Sequence, residues 1–222
     1  MKYSEVLAAL KKEKLVAILR GVPLNRLEGV VNALVEGGVR VLEFTFDHDD
    51  DTCIADTAQK IRRTIELFGD KVLVGCGTAL TVEEVEAAHA AGACLVISPN
   101  VDADVIRRTK ELGMLSMPGA LTPTEIVTAY RLGADIVKLF PAGDLGLSYI
   151  KSVRAPLKHI PMTAVGGVKP ENVKDFLDAG VCGFGVGGQL VLGKAVKNGD
   201  DAAITARARE FTQAIAEWEA SK

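Results

Sequence analysis

PMTAVGGVKPENVKDFLDAGVCGFGVG, residues 161–187, holds one complete structural unit. It opens on a short apolar run, 161–165, that does not alternate with polar residues. A run of that kind suits a strand covered on both faces, as in a parallel sheet. Gly166 and Gly167 interrupt it. Val173, Phe176 and Leu177 then recur at helical spacing and make one apolar stripe. Gly180 stands where a residue past a helix end takes the left-handed conformation. A second apolar run, 182–187, follows and ends on another glycine pair, Gly187 and Gly188. Strand, helix and strand in this order form a parallel crossover unit.

The same unit recurs along the chain. Further apolar runs lie at 15–19, 41–46, 72–76, 94–98, 114–117 and 135–140. Between them, Leu27, Val30, Val31, Leu34 and Val35 form one helical stripe, and Ile54, Ala58, Ile61, Ile65 and Phe68 another. Gly37, Gly92, Gly113 and Gly133 repeat the helix-closing position of Gly180. Thr81 with Glu84, and Thr122 with Glu125, fit the S/T-x-x-E capping box, and Pro123 fits a first helical position. Eight units predict an α/β fold: a (β/α)8 TIM barrel, taken as one domain over residues 1–222. At a typical barrel size of about 250 residues this is a compact example. An open, doubly wound sheet is the alternative, because a count of units does not establish closure. Two segments lie outside the units. Tyr3, Val6, Leu7 and Leu10 predict an N-terminal helix that caps one barrel end. Ile204, Ala208, Phe211, Ile215 and Trp218 predict a C-terminal helix packed on the body.

Composition narrows the function. The hydrophobic fraction is 48% and the aromatic fraction 5%, so the core is aliphatic. With a net charge of −3 and no basic run, the chain lacks a nucleic-acid footprint. No charge-free apolar stretch approaches the roughly 18 residues of a membrane span. Glu5, Lys11, Lys12, Glu13 and Lys14 break up the N-terminal segment, which does not read as a signal peptide. Cys53, Cys76, Cys94 and Cys182 lack disulfide or zinc spacing and read as reduced thiols in a cytoplasmic protein.

In such barrels the site lies at the C-terminal ends of the strands. Lys138 interrupts the apolar run at 135–140. Structurally, it could pair with a carboxylate or extend to the rim. Chemically, burial destabilises its cation, and a neutral amine can attack a ketone to form a Schiff base. Glu43, in the apolar run at 41–46, is either its structural partner or a general acid/base with a raised pKa. Gly166–Gly167 and Gly187–Gly188 follow the seventh and eighth strands, where barrels commonly hold phosphate on backbone N–H groups. Arg20, at the end of the first strand, adds a cation. The DHDDD run at 47–51 could hold a divalent ion or simply cap the next helix. Ser98, Ser116 and Ser148 lack a nucleophile elbow, so a hydrolase triad is not supported. A metal-dependent phosphosugar epimerase or isomerase, and a non-catalytic barrel, remain alternatives to a lysine-based enzyme.

LVAILRG, VLEFTF, GCGTA, VISPN, VKLFPAGD and AVGGV, in this order over roughly residues 5–195, resemble the class I 2-keto-3-deoxy-6-phosphogluconate / 4-hydroxy-2-oxoglutarate aldolases. The resemblance implies a cytoplasmic barrel, usually homotrimeric, that cleaves a 2-keto-4-hydroxy acid without metal or cofactor. 2-Dehydro-3-deoxy-6-phosphogluconate is the substrate expected first, giving pyruvate and glyceraldehyde 3-phosphate. 4-Hydroxy-2-oxoglutarate and the 6-phosphogalactonate analogue are the alternatives. Position by position, Lys138 resembles the Schiff-base lysine and Glu43 the general acid/base. Arg20 and Thr78 resemble substrate-binding residues, Pro99 and Phe140 pocket walls, and Gly166, Gly167, Gly187 and Gly188 a phosphate cradle. Two positions depart from well-known relatives. Asp47 stands where they carry an arginine after the second strand, and Gly188 where they often carry serine.

Overall fold

A computed structural model describes residues 3–222. Residues 1 and 2, counted in the expected domain, lie outside the described residues. The strands are β1 (Leu15–Leu19), β2 (Val41–Thr45), β3 (Leu73–Gly77), β4 (Leu95–Ile97), β5 (Leu115–Met117), β6 (Gly119–Ala120), β7 (Val137–Leu139), β8 (Met162–Val165) and β9 (Gly183–Val186). Every pairing is parallel, in the order β5-β4-β3-β2-β1-β9-β8-β7-β6.

The two ends of that order are neighbours in the chain. Only Pro118 separates β5 from β6. Proline has no N–H to give to a ladder, so the strand breaks there. Its first piece pairs with β4 and its second with β7. The Pro118 carbonyl still accepts the Lys138 N–H at 2.9 Å. The sheet thus closes on itself, and the barrel, not the open sheet, is the fold. The expected fifth strand, 114–117, is one half of this broken stave.

Both faces of the staves are apolar, and they belong to different cores. Leu15, Ala17, Leu42, Phe44, Val74, Cys76, Val137, Leu139, Ala164 and Phe184 face the surrounding helices. Val16, Val41, Leu73, Leu95, Ile97, Leu115, Met117 and Ile136 fill the barrel, together with Val6 and Leu10. The second pair comes from α1 (Tyr3–Glu13), which plugs the N-terminal end as the sequence predicts. Alternation exists, but between two buried faces, which is why it is invisible as polarity.

The outer ring comprises α2 (Leu27–Glu36), α3 (Cys53–Phe68), α4 (Val82–Ala90), α5 (Ala103–Glu111), α6 (Pro123–Arg131), α7 (Ala142–Arg154), α8 (Val173–Asp178) and α9 (Gly193–Asn198). The helix α7 is broken at Gly146, whose φ is 74°. Both capping boxes form at α4 and α6, with Pro123 in the first turn of α6. Gly92, Gly113, Gly133 and Gly180 adopt positive φ. Gly37 does not: its φ is −78°, and Gly38 takes the left-handed turn instead. Gly37 is needed for another reason. A Cβ there would lie 2.2 Å from the Ala208 Cβ of α10 (Asp201–Ala220). The small residues let the two helices touch, and Thr212 donates to the Gly37 carbonyl at 2.9 Å. Ile204, Ala208, Phe211 and Ile215 are buried there, as the C-terminal stripe predicts. No helix among the described residues is long and apolar enough to cross a membrane.

Because Leu10 is 5% exposed inside the barrel end, Leu10→Ala leaves a cavity that α1 cannot easily refill. The expected loss is about 2–5 kcal/mol in a denaturant titration. The C-terminal mouth, at the other end, should be unchanged in spectroscopic probes.

Candidate active site

A cavity of about 460 Å³ opens at the C-terminal end of the barrel. Arg20, Glu43, Thr78, Pro99, Lys138, Phe140, Gly166, Gly187 and Gly188 all line it. They come from widely separated parts of the chain and meet because the staves end there together. Gly167 does not reach the lining. With φ at 72°, it backs onto α7, and a Cβ on it would meet the Gly143 Cα at 2.7 Å.

Lys138 and Glu43 sit on the inward positions of β7 and β2, 7% and 2% exposed. Burial pushes the Lys138 ammonium below the usual lysine range; the Glu43 charge opposes that shift and Arg20 adds to it. Burial likewise pushes the Glu43 carboxyl above its ordinary range, against the pull of Lys138 and Arg20. The two groups feel each other without forming a contact ion pair: Lys138 makes no salt bridge among the described residues. Its Nζ instead stands 4.9 Å from the centre of the Phe140 ring. Glu43 Oε2 is buried without a hydrogen-bond partner. An orphan carboxylate oxygen and an unpaired amine on one cavity are poised for a proton-bearing ligand.

Arg20, exposed at the rim, acts on both groups more weakly than burial does. It favours the Glu43 anion and disfavours the Lys138 cation. Its Nη2 reaches Thr78 Oγ1 at 3.5 Å. Thr78 holds a φ of 57°, uncommon for a β-branched residue, which turns its hydroxyl toward the mouth.

Several residues that shape the cavity are absent from the sequence reading. Ile18, Val165, Gly185, Val191 and Gly193 line it. Gly77, on the inward parity of β3, makes room for Glu43, because a Cβ there would fall 1.7 Å from Glu43 Oε1. The signal was present: a strand reading LVGCG puts both glycines on the face that bears Glu43 in the next strand. Val191 lies in the loop beyond β9 and Gly193 opens α9, where strand periodicity has no reach.

Gly187, Gly188 and Gly193 form a different class. None has positive φ, and a Cβ would meet nothing within 4 Å at Gly188 or Gly193 and only Ile18 atoms, at 3.7 Å or more, at Gly187. Neither backbone conformation nor packing requires glycine at these places. What a side chain would fill is the cavity wall.

The DHDDD run does not assemble as a ligand set. Asp50 Oδ1 accepts from Thr52 N and Oγ1, both at 2.8 Å, and so supports the start of α3. His48 Nε2 pairs with Glu84 Oε1 at 2.6 Å. Among the described residues, no three of His, Cys, Asp or Glu gather to hold a metal ion. Asp47 is exposed beyond the end of β2.

A family model for the KDPG and KHG aldolases matches residues 6–207. The 2-dehydro-3-deoxy-6-phosphogalactonate aldolase of Escherichia coli (strain K12) is 38% identical over 180 residues, covering 81% of this chain and 85% of that protein. A probable 2-dehydro-3-deoxy-6-phosphogalactonate aldolase of Rhizobium meliloti (strain 1021) is 40% identical over 177 residues, covering 79% and 81%. A native KDPGal structure superposes with a TM-score of 0.82 at 35% identity, over 92% of this chain and 95% of that one.

The raised Glu43 pKa has a measurable cost. The folded state holds the Glu43 proton more tightly than the unfolded state, so stability is greatest below the ordinary carboxylate range and falls as pH rises through the folded pKa. Glu43→Gln mimics the protonated form. At neutral pH it should be more stable than the parent, seen as a higher Tm. The difference should vanish below about pH 4, where both side chains are neutral.

Proposed function

The chain belongs to the KDPG and KHG aldolase family, a family of lyases that act on small keto acids, and we propose that it is a class I aldolase cleaving a 2-keto-3-deoxy-6-phosphoaldonate through a Schiff base on Lys138. The observation that carries this reading is a buried amine held below the usual lysine range across a cavity from a buried, unpartnered carboxylate. The neutral amine attacks the C2 ketone, and loss of water leaves an iminium ion. Glu43 takes the proton of the C4 hydroxyl. The C3–C4 bond breaks, its electron pair moves toward the iminium nitrogen, and the C4 carbon leaves as an aldehyde. The enamine that remains is protonated at C3 and hydrolysed to pyruvate, which frees the lysine. The iminium is the electron sink, so the reaction needs no other cofactor.

Arg20 and Thr78, joined at the rim, suit the substrate carboxylate and hydroxyls, while Pro99 and Phe140 shield the iminium from water. For the phosphate, support comes from the glycines at 187 and 188, where open wall leaves backbone N–H groups accessible to an anion, with Gly166 across from them. Gly167 would act behind Gly166 by permitting the turn. The resemblance puts phosphogluconate first, but the phosphogalactonate activity of the 38% and 40% identical relatives favours the galactonate isomer. The two differ in configuration at C4, the carbon whose hydroxyl faces Glu43. With Asp47 in place of the arginine, an anionic end of the substrate is held elsewhere than at the end of β2. The homotrimer and cytoplasmic location implied by the resemblance belong to the same proposal.

Pyruvate with borohydride should leave a reduced adduct on Lys138, seen by mass spectrometry after proteolysis. Lys138→Met should fold, show no adduct and lose cleavage. Glu43→Gln should keep the adduct and lose about 10²–10⁴ in kcat. An adduct on another lysine, or none in folded protein, would sink the Schiff-base assignment. Assayed side by side, the phosphogalactonate isomer should give the higher kcat/KM; a clear preference for the gluconate isomer would reverse the substrate order.

A further inference from the structure

Next to the reaction cavity lies a second one, of about 420 Å³. It sits between the turn after β1 and the start of α9, and Arg20, Val191 and Gly193 line both cavities. Its charge is one-sided. Arg20, Arg26 and Lys197 line it, and no carboxylate does among the described residues. That runs against a chain whose net charge is −3. Arg26 is fixed in place by its Nε bond to the Val196 carbonyl at 3.1 Å and by an ion pair with Asp201, outside the lining. Lys197 has no ion pair or side-chain hydrogen bond among the described residues. The only side-chain hydrogen bond of Arg20 among them is the long one to Thr78. Two uncommitted cations and one anchored guanidinium thus converge with the Asn25 amide on one hollow. Several donors facing a shared space, with no acceptor provided by the chain, suit a phosphate group.

We propose that this side cavity is a second anion site, for inorganic phosphate or a small phosphomonoester, and that its occupant competes with the reaction cavity for Arg20. Arg20 is the shared wall, so an anion held with Lys197 draws its guanidinium outward. That removes a cation from the mouth of the reaction cavity and weakens binding of a keto acid there. The coupling is reciprocal, as linkage between two sites requires. The binding half of this proposal stands on the side cavity alone; the coupling half rests on the reading of Lys138 as the Schiff-base lysine.

Inorganic phosphate and glycerol phosphate, titrated separately into isotope-labelled protein, test the first half. Backbone amides of Gly21, Asn25 and Lys197 should shift with at least one probe, and Lys197→Ala should weaken that binding about three- to fivefold. Shifts confined to Gly166, Gly187 and Gly188, or equal affinity in Lys197→Ala, would overturn the site. Borohydride trapping with pyruvate, a ligand that carries no phosphate, tests the second half. In the parent protein phosphate should raise the pyruvate concentration for half-maximal trapping severalfold. In Lys197→Ala that effect should shrink, while trapping without phosphate matches the parent. The same phosphate effect in both proteins would overturn the coupling. If no adduct forms at all, the Schiff-base reading fails, and the amide shifts still decide the site.

Discussion

Everything at the mouth of this barrel depends on the absence of water behind it. Below the cavity the inward positions of the closed sheet are packed against one another, and the layer beneath Lys138 and Glu43 is aliphatic, from Val16 and Val41 round to Ile136. The helix α1 seals the far end. Removing water from an ammonium and a carboxylate costs several kcal/mol each unless they pair. In this barrel they are kept from pairing in contact, and each moves toward its neutral form. Had they touched, the pair would be a structural ion pair with two quenched groups. The separation leaves both groups facing one cavity.

Closure and chemistry meet at one residue. The ring of strands joins across Pro118, whose carbonyl accepts the Lys138 N–H. Lys138 therefore sits on the seam, its backbone held by the fifth stave and by β8. A side chain on a rigid strand, rather than on a loop, keeps the amine aimed at a fixed point. Arg20 then modulates the charge state from outside, more weakly than burial does. This exposed cation adds to the shift of Lys138 toward the amine and opposes the shift of Glu43 toward the neutral acid.

The fold was legible because its elements punctuate themselves. Apolar runs, helical stripes, capping boxes at Thr81 and Thr122, and glycines after helices all survive in one dimension. Most of the site was legible for a related reason: a charged residue in an apolar run is conspicuous, as Lys138 and Glu43 are. What stayed hidden is what depends on contact between distant segments. Nothing in the sequence says that Gly37 exists for Ala208, while Gly38 makes the turn. Nothing says that Gly167 turns away while Gly166 faces the cavity. Pro118 could be read as a breaker, but its place at the seam needs the barrel first. Gly77 was reachable by counting inward positions along β3, a step that requires the register with β2.

The glycines around the cavity divide its walls into a fixed side and an editable one. Gly77 is locked by the Glu43 carboxylate, and Gly185 by Val165, whose Cγ2 would lie 2.9 Å from a Cβ. Gly188 and Gly193 face open space with ordinary backbone angles. A side chain can be installed there without strain or repacking, on the lining of the cavity. Substitution at these two positions can reshape the cavity wall while the lysine, the carboxylate and the aliphatic floor beneath them stay as they are.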